Sequence, residues 1–355
     1  MLDKLKNTAK HAIIRAIPSA WHSDDLVRVV IQTGDGFDQP LWTDALDREL
    51  PAWRKHIELL CVPGDFAFLH ATQDADACST MSLSPALFRP SRLKWINALP
   101  AGINLIDLPE PPAEIHLTTS RGIAARNMAE HALLLLLALR RQLPAICRNQ
   151  QAWKWSQEGL LGPRPELRDL AVAVFGLGSS GREMARLCKA LGMHVIGVRR
   201  STDNPDGLCD EICPLADFAV ILPRVDALLL ALPLTRTTRE LISENELKQM
   251  KRSAVLVNVA RGGLVNEGQL ATALREGRIG GAGLDVLANE PPAADSPLKD
   301  CPNLIVTPHL AGNLHDFKAE ISARFARNLA AFLAGRPLEG LHPRDHWYAG
   351  GGPGR

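Results

Sequence analysis

Ala171-Val-Ala-Val-Phe175 runs directly into Gly176-Leu-Gly178-Ser-Ser-Gly181, and the helix-forming Arg182-Glu-Met-Ala-Arg-Leu follows at once. An apolar strand that turns through three glycines into a helix is built to meet phosphate. Gly176 permits the tight turn, Gly178 lets a pyrophosphate approach the backbone, and Gly181 lets the helix seat on the sheet. The helix N-terminus adds partial positive charge toward the phosphates. Three further segments carry charge just past short apolar runs. Arg261 follows Val255-Leu-Val-Asn-Val-Ala, Asp285 and Glu290 follow Gly283-Leu, and His309 lies within Val306-Thr-Pro-His309-Leu-Ala-Gly312. Taken singly, each is equally well explained as a structural ion pair or a satisfied histidine. Ligands of open parallel sheets sit at the carboxyl ends of the strands, where an arginine, a glutamate and a histidine distant in sequence can meet over a bound dinucleotide.

The strand after the glycine loop, His194-Val-Ile-Gly-Val198, should end at the residue that reads the adenosine ribose. A carboxylate there, about 20 residues on, would bind a 2′-hydroxyl. This chain instead has Arg199, Arg200, Ser201 and Thr202, with no acid before Asp203. Two guanidiniums beside hydroxyls suit a 2′-phosphate, so the expected cofactor is NADP(H) in preference to NAD(H). A pair of solvated arginines at a strand end is the competing reading.

These residues need a parallel scaffold, and the text of the chain supplies one twice. Short apolar runs at Leu26–Ile31, Ile57–Val62, Phe66–Leu69, Leu93–Ile96 and Ile115–Thr118 read as strands, with Trp42–His56 as an intervening helix. Arg126–Leu143 is strongly helical, with a bend or end at Pro144. A second series reads as strands at Leu170–Phe175, His194–Val198, Ala227–Ala231, Ala254–Asn258, Gly280–Leu284 and Leu304–Val306. Helices fall near Gly181–Leu191, Ser243–Met250 and Glu267–Glu276, and one long helical pattern runs to about Leu333. Such alternation predicts an α/β protein of two doubly wound parallel sheets, because parallel strands need crossovers.

Composition excludes several classes. The chain has 355 residues, 46% hydrophobic and 22% charged, with 40 basic against 39 acidic residues. That length suggests two domains, and that balance offers no broad field for nucleic acid or an anionic membrane. The longest apolar run, Ala132 to Leu139, is far short of the about 20 residues a membrane span needs, so it reads as a buried helix face. Seven scattered cysteines, none spaced as CxxC, suggest reduced thiols in a cytoplasmic protein that holds no metal. A single tyrosine, Tyr348, removes Tyr–Lys acid chemistry. Arg15 interrupts the apolar N-terminal stretch and argues against a secretory signal; an added amphipathic helix is the expectation there.

From about Leu93 to Leu333 the sequence resembles the D-isomer-specific 2-hydroxyacid dehydrogenase family. The matching text is Ala101-Gly-Ile-Asn, Met128-Ala-Glu-His, the glycine loop, Leu232-Pro-Leu-Thr-Arg-Thr-Thr238, Asn258-Val-Ala-Arg-Gly-Gly, Asp285 and Thr307-Pro-His-Leu-Ala-Gly. The resemblance implies a catalytic trio of Arg261, Glu290 and His309, with Ala101, Gly102 and Arg261 binding a substrate carboxylate. It also implies that Ser179 and Ser180 touch the pyrophosphate, and that Leu232, Pro233, Thr238, Val259, Ala260, Asp285 and Gly312 line the cofactor. Residues 116–312 would form a dinucleotide-binding domain inserted in a substrate domain of residues 1–115 and 313–355. A homodimer is implied, with the Arg126–Leu143 helix at its contact and Trp153 or Trp155 either reaching a partner's site or simply packed.

The chemistry then follows from the groups. Arg261 can hold the carboxylate of a 2-keto acid by a paired bond, protonated His309 can donate to the carbonyl oxygen, and anionic Glu290 orients the imidazole and favours its charged form. The expected activity is reduction of a small 2-keto acid such as glyoxylate or hydroxypyruvate. A phosphoglycerate or phosphite dehydrogenase is the nearest enzymatic alternative, and a dinucleotide-sensing corepressor-like protein the non-enzymatic one. Formate oxidation fits less well, since that subgroup has Gln where Glu290 stands. Departures from the family are Arg199 in place of the usual acid, Pro100 before the carboxylate-binding turn, and the N-terminal 20 residues.

Overall fold

The computed structural model describes residues 26–342 except 35, 90, 104–107, 110, 161–165 and 205–206. The N-terminal helix expectation and Tyr348 lie outside the described residues. The chain divides into two compact units, one made of the described residues up to Ile123 together with those from His315 onward, the other spanning Ala124–Leu314.

In the first unit the strands are β1 (Val27–Thr33), β2 (Ile57–Pro63), β3 (Ala77–Thr80), β4 (Trp95–Ala98) and β5 (His116–Thr119), all parallel in the order β2-β1-β3-β4-β5. Period-two alternation feeds both faces. Val29 and Ile31 join Trp42, Leu46, Phe325 and Phe332 on one side, while Val30 joins Phe68, Ile96 and Leu117 on the other. Helices Gln39–Glu49 and Phe317–Leu333 cover the first side, where Trp95 stacks on Phe325 with ring centroids 4.8 Å apart. Two expectations need correction here. Phe66–Leu69 is not a strand but lies within the helix Asp65–Ala71, because only Phe68 of that turn is fully buried and Phe66 faces solvent. The helix expected over Trp42–His56 starts earlier and stops at Glu49, two residues before Pro51, whose ring and missing N–H end it.

The second unit holds β6 (Ala171–Phe175), β7 (His194–Arg199), β8 (Glu211–Pro214), β9 (Ala227–Leu230), β10 (Val255–Asn258), β11 (Gly281–Leu284) and β12 (Leu304–Val306). They pair in parallel in the order β12-β11-β10-β9-β6-β7-β8. From β6 the chain adds β7 and β8 on one side and then crosses over to place β9 on the other, so the topological switch point lies between β6 and β9. Central strands are buried on both faces and, apart from Asn258 at the end of β10, apolar, because helices cover both sides. Ala173 and Phe175 join one core with Leu228, Leu256 and Leu284; Val172 and Val174 join the other with Leu135, Leu139 and Met184. Within the apolar run Ala132–Leu139 the helix Ala125–Arg140 buries Ala132, Leu135, Leu136, Ala138 and Leu139, while Leu134 faces out, so the expected buried face is only part of the run. That helix ends at Arg140; Gln142, in a left-handed conformation (φ 55°), turns the chain into a second helix, Leu143–Gln151, with Pro144 in its first turn. No helix among the described residues is long and apolar enough to cross a membrane.

Candidate active site

The glycine loop opens at the switch point. Gly176 has φ 92°, and a methyl group there would lie 2.8 Å from the carbonyl oxygen of Ala231, which follows β9. A methyl on Gly181 would run into the carbonyl of Gly176, so the helix Ser179–Ala190 seats directly against the turn. Gly178 is its N-cap and offers no side-chain cap, which leaves first-turn N–H groups of Ser179, Ser180 and Gly181 for an anion. The Ser180 hydroxyl contacts the Met128 sulfur at 3.3 Å. Backbone that a Cβ would block, beside a helix N-terminus, is a cradle that fits a pyrophosphate.

Flanking loops are held by their own polar groups. Thr238 donates to the Pro233 carbonyl (2.8 Å) and accepts from the Thr235 N–H (2.8 Å), while Leu232 is buried and Pro233 exposed beside it. Val259 and Ala260 are buried, and Asn258 clamps their turn by accepting from Ala260 N–H (3.0 Å) and donating to the Arg261 carbonyl (2.8 Å). Arg199 closes β7, and its guanidinium turns to Asp203, donating to that carbonyl at 3.0 Å with the carboxylate 3.4 Å away. Arg200 and Ser201 are exposed next to it. In the other unit Ala101 and Gly102 are exposed in the turn after β4, where the Pro100 carbonyl accepts from Ser120 N–H at 3.4 Å.

Arg261, Glu290 and His309 lie just beyond β10, β11 and β12, and all three line one pocket of about 270 Å³ with Leu234, Val286 and Leu287. The Glu290 carboxylate spans two donors. One oxygen accepts from Leu287 N–H (2.8 Å), the other lies 2.7 Å from His309 Nδ1. Burial pushes the Glu290 carboxyl up, but bonds from His309 and Leu287 and the charges of His309 and Arg261 outweigh it, so it titrates below the ordinary glutamate value. Burial pushes the Arg261 guanidinium down and the Glu290 charge pushes it back up; it stays below its usual value, and an arginine so placed is still cationic. Its Nη1 donates to the Ala260 carbonyl at 2.7 Å. An anchored cation beside an imidazole oriented by a carboxylate can grip an anionic substrate and move one proton.

Asp285 has a larger structural part than sequence reasoning gave it. Its carboxylate is buried and accepts from Thr307 Oγ1 (2.6 Å), Leu310 N–H (2.8 Å) and Ala311 N–H (2.8 Å), and its carbonyl accepts from His309 N–H (2.9 Å). It therefore fastens the turn from Thr307 toward Gly312 on which His309 stands. Asn258 and His131, the latter 2.9 Å from Thr307 Oγ1, were likewise not singled out. His131 ends Met128-Ala-Glu-His, and a lone imidazole ahead of an apolar run is the signal the sequence carries for it. Trp153 and Trp155 are 91% and 101% exposed.

The family model described as "D-isomer specific 2-hydroxyacid dehydrogenase, NAD binding domain" matches residues 133–311. A glycerate dehydrogenase of Methylorubrum extorquens is 35% identical over 252 residues, covering 69% of this chain and 77% of that protein. A glyoxylate reductase of Aeropyrum pernix is 33% identical over 291 residues, covering 78% and 85%. Among solved structures, an NADPH-dependent glyoxylate/hydroxypyruvate reductase from Sinorhizobium meliloti, in complex with NADP and sulfate, superposes with a TM-score of 0.73 at 28% identity, covering 91% of this chain and 100% of that one. With two parallel sheets, a glycine cradle at a switch point and a matched dinucleotide-binding sequence, the chain belongs to the D-isomer specific 2-hydroxyacid dehydrogenase family.

Proposed function

We propose that the protein is an NADPH-linked reductase of a small 2-keto acid, glyoxylate or hydroxypyruvate, working through Arg261, Glu290 and His309. The observation that carries this reading is the His309–Glu290 pair at 2.7 Å in the same pocket as Arg261. Glu290 engages Nδ1, which leaves Nε2 of the protonated imidazole to give its proton to the carbonyl oxygen. Arg261 holds the carboxylate through its planar fork, and Ala101 and Gly102 are assigned backbone N–H contacts to it on the strength of the family resemblance. Residues at the glycine loop, with Leu232, Pro233, Thr238, Val259, Ala260, Asp285 and Gly312, would hold the dinucleotide, which when bound supplies the hydride for C2.

Preference for NADPH is supported by Arg199, Arg200 and Ser201 at the end of β7 and by the NADPH dependence of the Sinorhizobium meliloti relative. To bind a 2′-phosphate Arg199 would exchange Asp203 for it. A homodimer is supported by Leu143, Ile146, Trp153 and Trp155, which are exposed on and beyond the helix Leu143–Gln151. Seven unpaired cysteines suit a reducing, cytoplasmic setting.

The test is initial rates with NADPH and NADH against glyoxylate, hydroxypyruvate and 3-phosphohydroxypyruvate. Faster turnover of the unphosphorylated acids with NADPH is expected. Preference for the phosphorylated acid would favour a phosphoglycerate dehydrogenase, and binding of NADPH without turnover a sensing protein. Arg199→Asp should lower the NADPH preference by about tenfold to a hundredfold, the equivalent of one strong charged contact. Equal use of both cofactors by the wild type would overturn the role given to these arginines.

A further inference from the structure

We propose that His131 is a positioning residue for the reaction: through Thr307 and Asp285 it fixes the turn that carries His309. The inference rests on the proton-donor role given to His309 above. His131 stands on the helix Ala125–Arg140, ahead of the buried run that packs against the sheet. Its Nε2 lies 2.9 Å from Thr307 Oγ1 and 3.4 Å from Asp285 Oδ1, and the same hydroxyl lies 2.6 Å from that carboxylate oxygen. A threonine hydroxyl has one proton to give, and a carboxylate has none. Thr307 therefore donates to Asp285 and accepts from His131, which makes Nε2 of His131 the nitrogen that carries hydrogen. On one side of the turn, then, the imidazole donates to the hydroxyl and the hydroxyl to the carboxylate.

On the other side the same Asp285 collects successive N–H groups that follow Pro308. Its carbonyl takes His309 N–H at 2.9 Å, and its carboxylate takes those of Leu310 and Ala311, each at 2.8 Å. His309 has φ 54°, a left-handed conformation in which side chains other than glycine persist only when their surroundings impose it. The turn's shape decides where the Cα of His309 stands and hence whether its Nδ1 meets Glu290. Displacement of a reacting group by about 1 Å can cost about a hundredfold in rate. His131, which does not itself line the pocket, is thereby coupled to the proton donor.

The experiment uses the full-length protein, with His131→Leu, His131→Gln, Thr307→Val and the double variant His131→Leu/Thr307→Val. For His131→Leu, kcat is expected to drop about tenfold to a hundredfold, with the NADPH dissociation constant nearly unchanged. Glutamine places an N–H where Nε2 stands and should recover most of the loss. Thr307→Val should match His131→Leu, and the double variant should be no worse than the poorer single. Histidine ¹⁵N spectra of the cofactor-free protein provide a readout independent of turnover. They should show His131 protonated at Nε2 in the wild type, and a His309 resonance that moves in His131→Leu and returns in His131→Gln. Losses that multiply in the double variant, a glutamine variant as poor as leucine, an Nδ1–H tautomer, or an unmoved His309 resonance would each overturn the proposal. A wild type that reduces no 2-keto acid while its spectra behave as described would instead overturn the proposed function and leave the positioning chain standing.

Discussion

His309 and Glu290 stand 2.7 Å apart with 54% and 37% of their side chains exposed, whereas His131 and Asp285 stand 3.4 Å apart with 15% and 1% exposed. Both are histidine–carboxylate pairs beside the carboxyl ends of β11 and β12. In the first pair one nitrogen of the imidazole is engaged and the ring edge stays open to a pocket. In the second the carboxylate is occupied by two backbone N–H groups and a hydroxyl, and the imidazole meets it over that hydroxyl. The same two residue types thus divide their labour by burial. An accessible pair is open to exchange a proton with a bound substrate, while a buried and saturated one is suited to hold shape, because each lost bond there leaves an uncompensated group.

Four substitutions would break or sharpen this contrast. The largest effect is expected for His309→Ala, which removes the proposed proton donor and should cut 2-keto acid reduction by about a hundredfold to ten-thousandfold. Fluorescence titration should show NADPH affinity unchanged. Next comes Arg261→Lys, which keeps a charge and loses the fork; kcat/KM for keto acids should fall by about tenfold or more, again without loss of NADPH binding. Asp285→Asn presents an amide N–H₂ to a turn that needs acceptors. One of the N–H groups of Leu310 and Ala311 then lacks a partner, at a cost of about 1–3 kcal/mol that a urea titration would register, together with reduced turnover.

Glu290→Gln should do the reverse. It keeps the shape, leaves the urea midpoint at neutral pH almost unmoved, and deprives the protonated imidazole of its counter-charge. Half-exposed ion pairs contribute up to about 1 kcal/mol, so at neutral pH reduction should fall up to about fivefold relative to oxidation of the hydroxy acid. The smallest effect concerns acid stability. Glu290 titrates below its ordinary value in the folded chain. Its contribution to folding is therefore fully present above the unfolded value of about 4.3 and is lost as pH falls through the folded value. Wild type and Glu290→Gln should differ slightly in stability above that window and converge below it.

How much of this was legible in the sequence varies with how local the cause is. The glycine loop, β6, β9 and β10 announce themselves, because glycines at fixed offsets and apolar runs are local signals, whereas Arg261, Glu290 and His309 stand out jointly and only through the family resemblance. β3 did not, since Ala77-Cys-Ser-Thr80 is short and weakly apolar although every residue of it is buried. β8 is an edge strand whose Glu211 and Pro214 mask its pattern. Phe66–Leu69 misled because four residues cannot separate a strand from a helical turn. His131 and Asn258 were passed over for a different reason. The partner of His131 is 176 residues away, at Thr307, and that of Asn258 is a turn whose backbone needs emerge only once it is folded. The Arg199 ion pair with Asp203 is the intermediate case, readable as an i,i+4 spacing but not as a contact.

The most direct test of the account is a pair of pH–rate profiles on the wild type, kcat/KM for NADPH-dependent glyoxylate reduction and for oxidation of the corresponding hydroxy acid with NADP. His309 must carry its proton for reduction and lack it for oxidation. The first rate should decline and the second rise over the same pH interval, and both responses should vanish in His309→Ala. Parallel profiles in the two directions, or profiles that survive in His309→Ala, would contradict the proton-donor role of His309.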